Sequence, residues 1–179
     1  MVYLFLANGF EEIEALTPVD VLRRAGVEVT TVGVGGTGVV GAHGIFVEAD
    51  IPDVMYADAT PTAIILPGGM PGAENLHQSR AVDAAVRAGA KSGALLAAIC
   101  AAPLVLGRRG LLAGKNATCY PGFEHELSGA TIADARVVKD GNILTAAGMG
   151  AALEFALSLA EILAGKEKAD AVRHGILAD

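Results

Sequence analysis

Short apolar runs alternate with stretches of helical period along almost the whole chain, and this alternation is its strongest structural signal. Residues 2–7 read as a strand, 11–24 as a helix, 28–34 as a strand and 63–66 as another. Residues 80–91 regain the helical period, 95–99 form a strand, 101–109 a helix and 117–120 a short strand. Near the end, 136–139 and 143–146 flank Asp140-Gly141-Asn142, a turn signal that predicts a hairpin at a sheet edge. A long helix over 151–164 closes the pattern.

Ile64-Ile65-Leu66 and Leu95-Leu96-Ala97-Ala98-Ile99 are apolar without alternation, as strands covered on both faces are. Helices between such strands supply right-handed crossovers. The prediction is a single α/β domain over 1–179, with a flavodoxin-like, doubly wound and mostly parallel sheet between helices. Ligands in such sheets lie beyond the carboxyl ends of the strands. There the loops Ala7-Asn8-Gly9, Pro67-Gly68-Gly69 and Cys100-Ala101-Ala102 emerge.

Composition narrows the partners. At 179 residues the chain fits one domain. Hydrophobic residues make up 53%, yet no run approaches the roughly 18 apolar residues a bilayer span needs. Met1-Val2-Tyr3-Leu4-Phe5-Leu6 lacks the basic flank of a signal peptide and reads as a buried strand, so a cytoplasmic location is expected. Two cysteines, Cys100 and Cys119, are too few for a disulfide framework and read as free thiols. A net charge of -7 with scattered basic residues gives no footprint for nucleic acid or an anionic membrane. A small neutral or anionic molecule remains as the expected partner.

The candidate chemistry centres on Ala98-Ile99-Cys100-Ala101-Ala102-Pro103, which puts a thiol between a buried strand and a helix, as in a nucleophile elbow. Helix amides and the dipole facing such a thiol lower its pKa. A buried structural cysteine fits the same local pattern. Gly68 and Gly69 end a second strand at the same edge, where their amides, with that of Ala101, can form an oxyanion site; a turn needing positive φ explains the pair equally. Gly9-Phe10-Glu11-Glu12-Ile13-Glu14 places three carboxylates in a first helical turn. Capping accounts for Glu11 or Glu12, whereas Glu14 starts the face that packs on the sheet. A semi-buried carboxyl there tends to hold a proton and can shuttle it.

Other features carry less. Gly33-Val34-Gly35-Gly36-Thr37-Gly38 matches the dinucleotide fingerprint literally, but residues 39–47 after it are β-branched and turn-rich where the fingerprint needs a helix. His43, His77, His125 and His174 lack metal-ligand spacing, and no His follows Cys100, so no metal site is expected. Cys119 reads as a filler of a strand end in preference to a second redox thiol. Gly148-Met149-Gly150 either offers an anion-facing helix start or serves a tight helix entry.

Five segments carry a family resemblance: Gly9 to Glu14, Pro18-Val19-Asp20-Val21-Leu22-Arg23-Arg24-Ala25-Gly26, Leu66-Pro67-Gly68-Gly69, Ala97-Ala98-Ile99-Cys100-Ala101, and Tyr120-Pro121-Gly122-Phe123-Glu124. In this order and spacing the chain resembles the ThiJ/PfpI superfamily, in the branch of the parkinsonism-associated deglycase and its bacterial relatives. The resemblance implies a flavodoxin-like homodimer, with the helix over 12–24 at its interface. It also implies a reactive, oxidisable thiol at Cys100, its acid partner at Glu14, oxyanion amides at Gly69 and Ala101, and no cofactor. Gly68, Tyr120 and His43 complete the candidate binding residues. Two departures matter. Ala101 stands where the protease-like branch has a His, and Tyr120 stands where the nearer branch often has one.

The expected function is therefore a cysteine-dependent, cofactor-independent glyoxalase or deglycase acting on methylglyoxal, related aldehydes or their early adducts. A redox-sensing stress protein or holdase chaperone using oxidation of Cys100 is the alternative. An intracellular peptidase comes third.

Overall fold

The structure, a computed structural model, describes residues 1–178. The strands are β1 (Val2–Leu6), β2 (Val29–Gly33), β3 (Gly38–Val40), β4 (Phe46–Glu48), β5 (Ile51–Pro52), β6 (Ala63–Leu66), β7 (Leu95–Ile99), β8 (Asn116–Ala117), β9 (Thr131–Ile132), β10 (Val137–Asp140) and β11 (Ile143–Ala146). The helices are α1 (Glu12–Arg24), α2 (Gly72–Gln78), α3 (Arg80–Ser92), α4 (Pro103–Gly107), α5 (Ala152–Ala164) and α6 (Lys166–Gly175). Among the described residues seven strands form one sheet in the order β10-β11-β7-β6-β1-β2-β5, parallel except for edge strand β10.

Strand period divides the core. Val2, Leu4 and Leu6 of β1 face a cluster made with α1 and α5, whereas Phe5 of the same strand faces one made with α2, α3 and α4. On β7, Leu95, Ala97 and Ile99 take the first face, and Leu96 and Ala98 the second. Both faces are covered, which is why these runs are apolar throughout. No helix among the described residues is long and apolar enough to cross a membrane.

The expected hairpin forms, with Gly141 at φ +61° in its turn. Other boundaries differ. The helix expected over 101–109 contracts to Pro103–Gly107, because Cys100 adopts φ +64° and the chain must turn before a helix can start. The strand expected over 117–120 is not formed as such: the strand here is Asn116–Ala117, which shares only Ala117 with it. Beyond it single bonds replace a ladder: the Thr118 N–H donates to the Thr145 hydroxyl at 2.9 Å and the Tyr120 N–H to the Cys100 carbonyl at 2.8 Å. Helices α2 and α6 had no expectation, since one follows a Pro-Gly turn signal and the other is mostly polar, burying Ala169 and Val172.

Behind the sheet edge, the side chain of Arg109 is 5% exposed and donates to Asp83, to the carbonyls of Val105 and His77, and to Nδ1 of His77. His77 must be neutral to accept there. Burial, then the charges of Arg109 and Arg108, hold its pKa below the ordinary 6.5. An unfolded chain takes up this proton near 6.5 and the native one only lower, so stability is expected to fall as pH drops below about 6.5. His77→Asn, which keeps an acceptor but cannot titrate, should flatten that fall in thermal midpoints between about pH 7 and 5. An unchanged slope would refute the assignment.

Candidate active site

The neighbours β7, β6 and β1 end at one edge, so their loops meet there. The Glu11 N–H donates to the Gly68 carbonyl at 3.0 Å and the Gly72 N–H to the Gly9 carbonyl at 3.1 Å, tying the first loop to the second. Cys100 follows β7 directly. Its N–H donates to the Ala146 carbonyl at 2.8 Å, and its carbonyl accepts from Tyr120. Left-handed backbone is costly for a residue with a Cβ, by about 1–3 kcal/mol, and persists only where surrounding bonds hold it. The thiol is partly buried and packs against both core clusters.

Glu14 lies in the first turn of α1 and is fully buried. Its Oε2 accepts the Gly68 N–H at 3.0 Å, and its Oε1 is the buried side-chain oxygen without a hydrogen-bond partner among the described residues. Burial pushes this carboxyl up to about 7, with hydrogen bonds from Cys100 and Gly68 opposing and the charge of Glu11 adding. Burial also pushes the Cys100 thiol up, to about 12, helped by the negative charge of Glu14 and opposed by the amides of Gly69 and Ala101. The thiol pKa is thus raised, where helix position had predicted a lowered one. The reason is local: α4 begins three residues later with Pro103, which has no N–H, and is five residues long, so its field is weak against burial. The groups that oppose burial at this thiol are the backbone amides of Gly69 and Ala101.

The glycines are required by contact as well as by turn geometry. A Cβ on Gly68 would lie 2.6 Å from Glu14 Oε2, 2.7 Å from Cys100 Cβ and 2.9 Å from the Ile99 carbonyl. Gly69 has φ +84°, and a Cβ there would run into the backbone of Glu11 and Gly9. Carboxyl and thiol can lie side by side because Gly68 carries no Cβ to separate them.

The remaining candidates are placed unevenly. Tyr120 is half exposed, bound to Cys100 through its backbone, with its ring over Gly148. His43 sits in the turn after β3, where its N–H and its ring Nδ1 reach the two oxygens of Glu12 at 2.8 and 2.9 Å. It braces the start of α1. Burial raises the Glu12 pKa, but the bonds from His43 and nearby backbone outweigh it and leave the carboxyl below its ordinary value. Ligand atoms of Glu11, Glu12 and His43 lie within 4.8 Å of one another, a grouping of metal-ligand type that sequence spacing did not show. The His43–Glu12 hydrogen bond already accounts for it. Gly41, also missed in the sequence, has no room for a Cβ beside the Glu12 carboxylate.

Cys119 is buried in the second cluster, and burial followed by the charge of Glu124 pushes its thiol up to about 11, as suits a filler. From β2 the chain runs into β3 with no helix, so the glycine run 33–38 makes no pyrophosphate cradle. The roomier surface depressions, of about 630 Å³ beside Val137, Leu144 and Ser158 and about 540 Å³ beside Arg24 and Lys168, are not lined by Cys100.

Comparison with known proteins bears on this edge. Residues 1–162 match the DJ-1/PfpI family. The chain is 41% identical over 177 residues to Protein dj-1beta of Drosophila melanogaster, covering 97% of this chain and 95% of that one. The crystal structure of Drosophila melanogaster DJ-1beta superposes with a TM-score of 0.94 at 40% identity, covering 98% of this chain and 96% of that one. The chain is also 35% identical over 167 residues to the glutathione-independent glyoxalase DJR-1.2 of Caenorhabditis elegans, covering 90% and 87%.

Proposed function

Because the chain belongs to the DJ-1/PfpI family, we propose that it is a cofactor-independent glyoxalase or deglycase that acts through Cys100 on methylglyoxal, related aldehydes or their early adducts. The observation that carries this reading is the approach of a buried carboxyl and a partly buried thiol to the same glycine, Gly68, whose added Cβ would touch both Glu14 and Cys100. The similarity to a protein named as a glutathione-independent glyoxalase supports it.

Each group takes one role. Above about pH 7 Glu14 is a carboxylate and accepts the thiol proton as sulfur adds to the aldehyde carbon. The new C–S bond leaves an alkoxide, held by the amides of Gly69 and Ala101 until a proton returns and gives a hemithioacetal. Glu14 then removes the proton on that carbon and delivers it to the neighbouring ketone carbon while the hydroxyl proton passes to the former ketone oxygen, leaving a thioester of a 2-hydroxy acid. Water cleaves the thioester, releasing lactate from methylglyoxal and restoring the thiol. Carbon is oxidised at one centre and reduced at the next, so no external electron carrier enters. With Ala101 after the cysteine in place of a His, peptidase chemistry has no adjacent base.

The deciding experiment is lactate formation from methylglyoxal by Cys100→Ser. Turnover is expected to fall to background, a loss of about a thousandfold or more, since the hydroxyl is a far weaker nucleophile. Wild-type turnover in this variant would sink the reading.

The reading includes a homodimer. Ile13 and Leu16, one turn apart on α1, are 49% and 38% exposed, and Leu153 of the α5 helix packed beside α1 is 39% exposed. Apolar residues on adjoining helices suit burial against a second copy. Ile13→Asp/Leu16→Asp is expected to halve the mass in light scattering, and an unchanged mass would place the interface elsewhere.

A further inference from the structure

Three segments build the Cys100 site, and each leads into an element on the far side of the sheet edge. Gly68 and Gly69 lead into α2, Cys100 and Ala101 into α4, and Tyr120 into the 3₁₀ turn Glu124–Glu126. Arg108, directly after α4, touches the other two elements. Its Nε and one terminal nitrogen donate to the two oxygens of Glu126 at 2.8 and 2.7 Å, and its other terminal nitrogen donates to Glu74 of α2 at 2.8 Å. Such a two-pronged guanidinium–carboxylate pair fixes direction as well as distance. Next to it Gly107 has no room for a Cβ against the backbone of Glu126 and Leu127. The end of α4 is therefore seated on the 3₁₀ turn by contact, and Arg108 locks it there.

We propose that Arg108 is a positioning residue for the Cys100 site: by tying Glu74 to Glu126 it sets how closely the amides of Gly69 and Ala101 converge on the sulfur. The helices between clamp and site are short, seven residues in α2 and five in α4, so a shift at Arg108 reaches the loops with little chain to absorb it. An isolated surface ion pair contributes about 0–1 kcal/mol to stability, so one holding two carboxylates from separate elements beside a reactive loop is better explained by geometry. Oxyanion donors act within a few tenths of an ångström, and a displacement of about 1 Å can cost roughly a hundredfold in rate. The inference rests on the proposed function only in taking Cys100 as the reacting atom.

The test reads the thiol itself, independently of turnover. The two amides favour thiolate, so loosening them lowers the thiolate fraction. In Arg108→Met the rate of Cys100 alkylation by iodoacetamide at pH 8, well below the thermal midpoint, is expected to fall roughly threefold to tenfold. Glu74→Gln and Glu126→Gln should each do the same, and their double variant no more than Arg108→Met, because each removes one end of a single clamp. Should Arg108→Met not fold, the two glutamine variants carry the test. Arg108→Lys, which keeps the charge without the fork, should fall between wild type and Arg108→Met. Arg23→Met, which breaks an exposed ion pair with Asp50, should react as wild type. Wild-type alkylation in Arg108→Met, or an equal fall in Arg23→Met, would overturn the proposal. If Cys100 alkylation responds as expected while methylglyoxal is not turned over, the clamp stands and the glyoxalase reading falls.

Discussion

Glu14→Gln is expected to lower methylglyoxal turnover by about 10²–10⁴-fold while leaving the thiol in place and open to alkylation. Glutamine keeps the acceptor for the Gly68 N–H but cannot take the thiol proton or carry one between carbons. In the wild type kcat/KM should rise with pH through about 7, where burial has moved this carboxyl. That limb should be missing from the variant. Stability should move the other way. The carboxyl titrates near its ordinary 4.5 when unfolded and near 7 when folded, so the native state binds the extra proton and loses stability as pH rises from 4.5 through 7. Glu14→Gln is therefore expected to raise the thermal midpoint at pH 8 and to change it little at pH 4. A variant that turns over normally, or gains nothing at pH 8, would show that Glu14 is not a buried proton carrier. The orphaned Oε1 fits this trade, since a carboxylate kept ready for a substrate proton cannot also be fully satisfied by the fold.

Gly68→Ala is the second large effect. The new methyl would meet Glu14 Oε2 at 2.6 Å, Cys100 Cβ at 2.7 Å and the Ile99 carbonyl at 2.9 Å, and two of these atoms belong to backbone or Cβ and cannot rotate away. Overpacking of this kind costs about 1–3 kcal/mol of stability. Separation of carboxyl from thiol should cost roughly a hundredfold or more in turnover, because proton transfer needs hydrogen-bond contact. Gly175→Ala, with nothing within 4 Å, should leave turnover unchanged. If Gly68→Ala lost stability but kept its rate, the approach of Glu14 to Cys100 would not matter to the chemistry.

Much of the molecule was legible in the amino-acid sequence. Continuous apolar runs predicted buried parallel strands, and the alternation of Leu95, Ala97 and Ile99 with Leu96 and Ala98 across two clusters shows why the runs are continuous. Glu14 was separable from Glu11 and Glu12 by its place on the packing face, and it is the one bonded to Gly68. Glu12, expected as a solvated cap, is instead buried and bonded to His43, and Glu11 makes no side-chain cap. Short elements were harder. Helix α2 hid behind Pro71-Gly72, and two-residue strands such as β8 leave no period to read.

Periodicity and turn chemistry are local, so the layering of the fold and the loops that meet at one sheet edge could be read from the chain alone. How those loops act on one another was decided only in three dimensions. Thiolate was expected from a helix start, yet burial and Glu14 govern the Cys100 proton, and the amides that favour thiolate come from separate loops. His43, expected among the binding residues, bonds both oxygens of Glu12 across the turn after β3. Arg108 carried no signal until Glu74 and Glu126 stood on either side of it. Desolvation, charge and clamping depend on distances between residues far apart in the chain, and no local pattern encodes those.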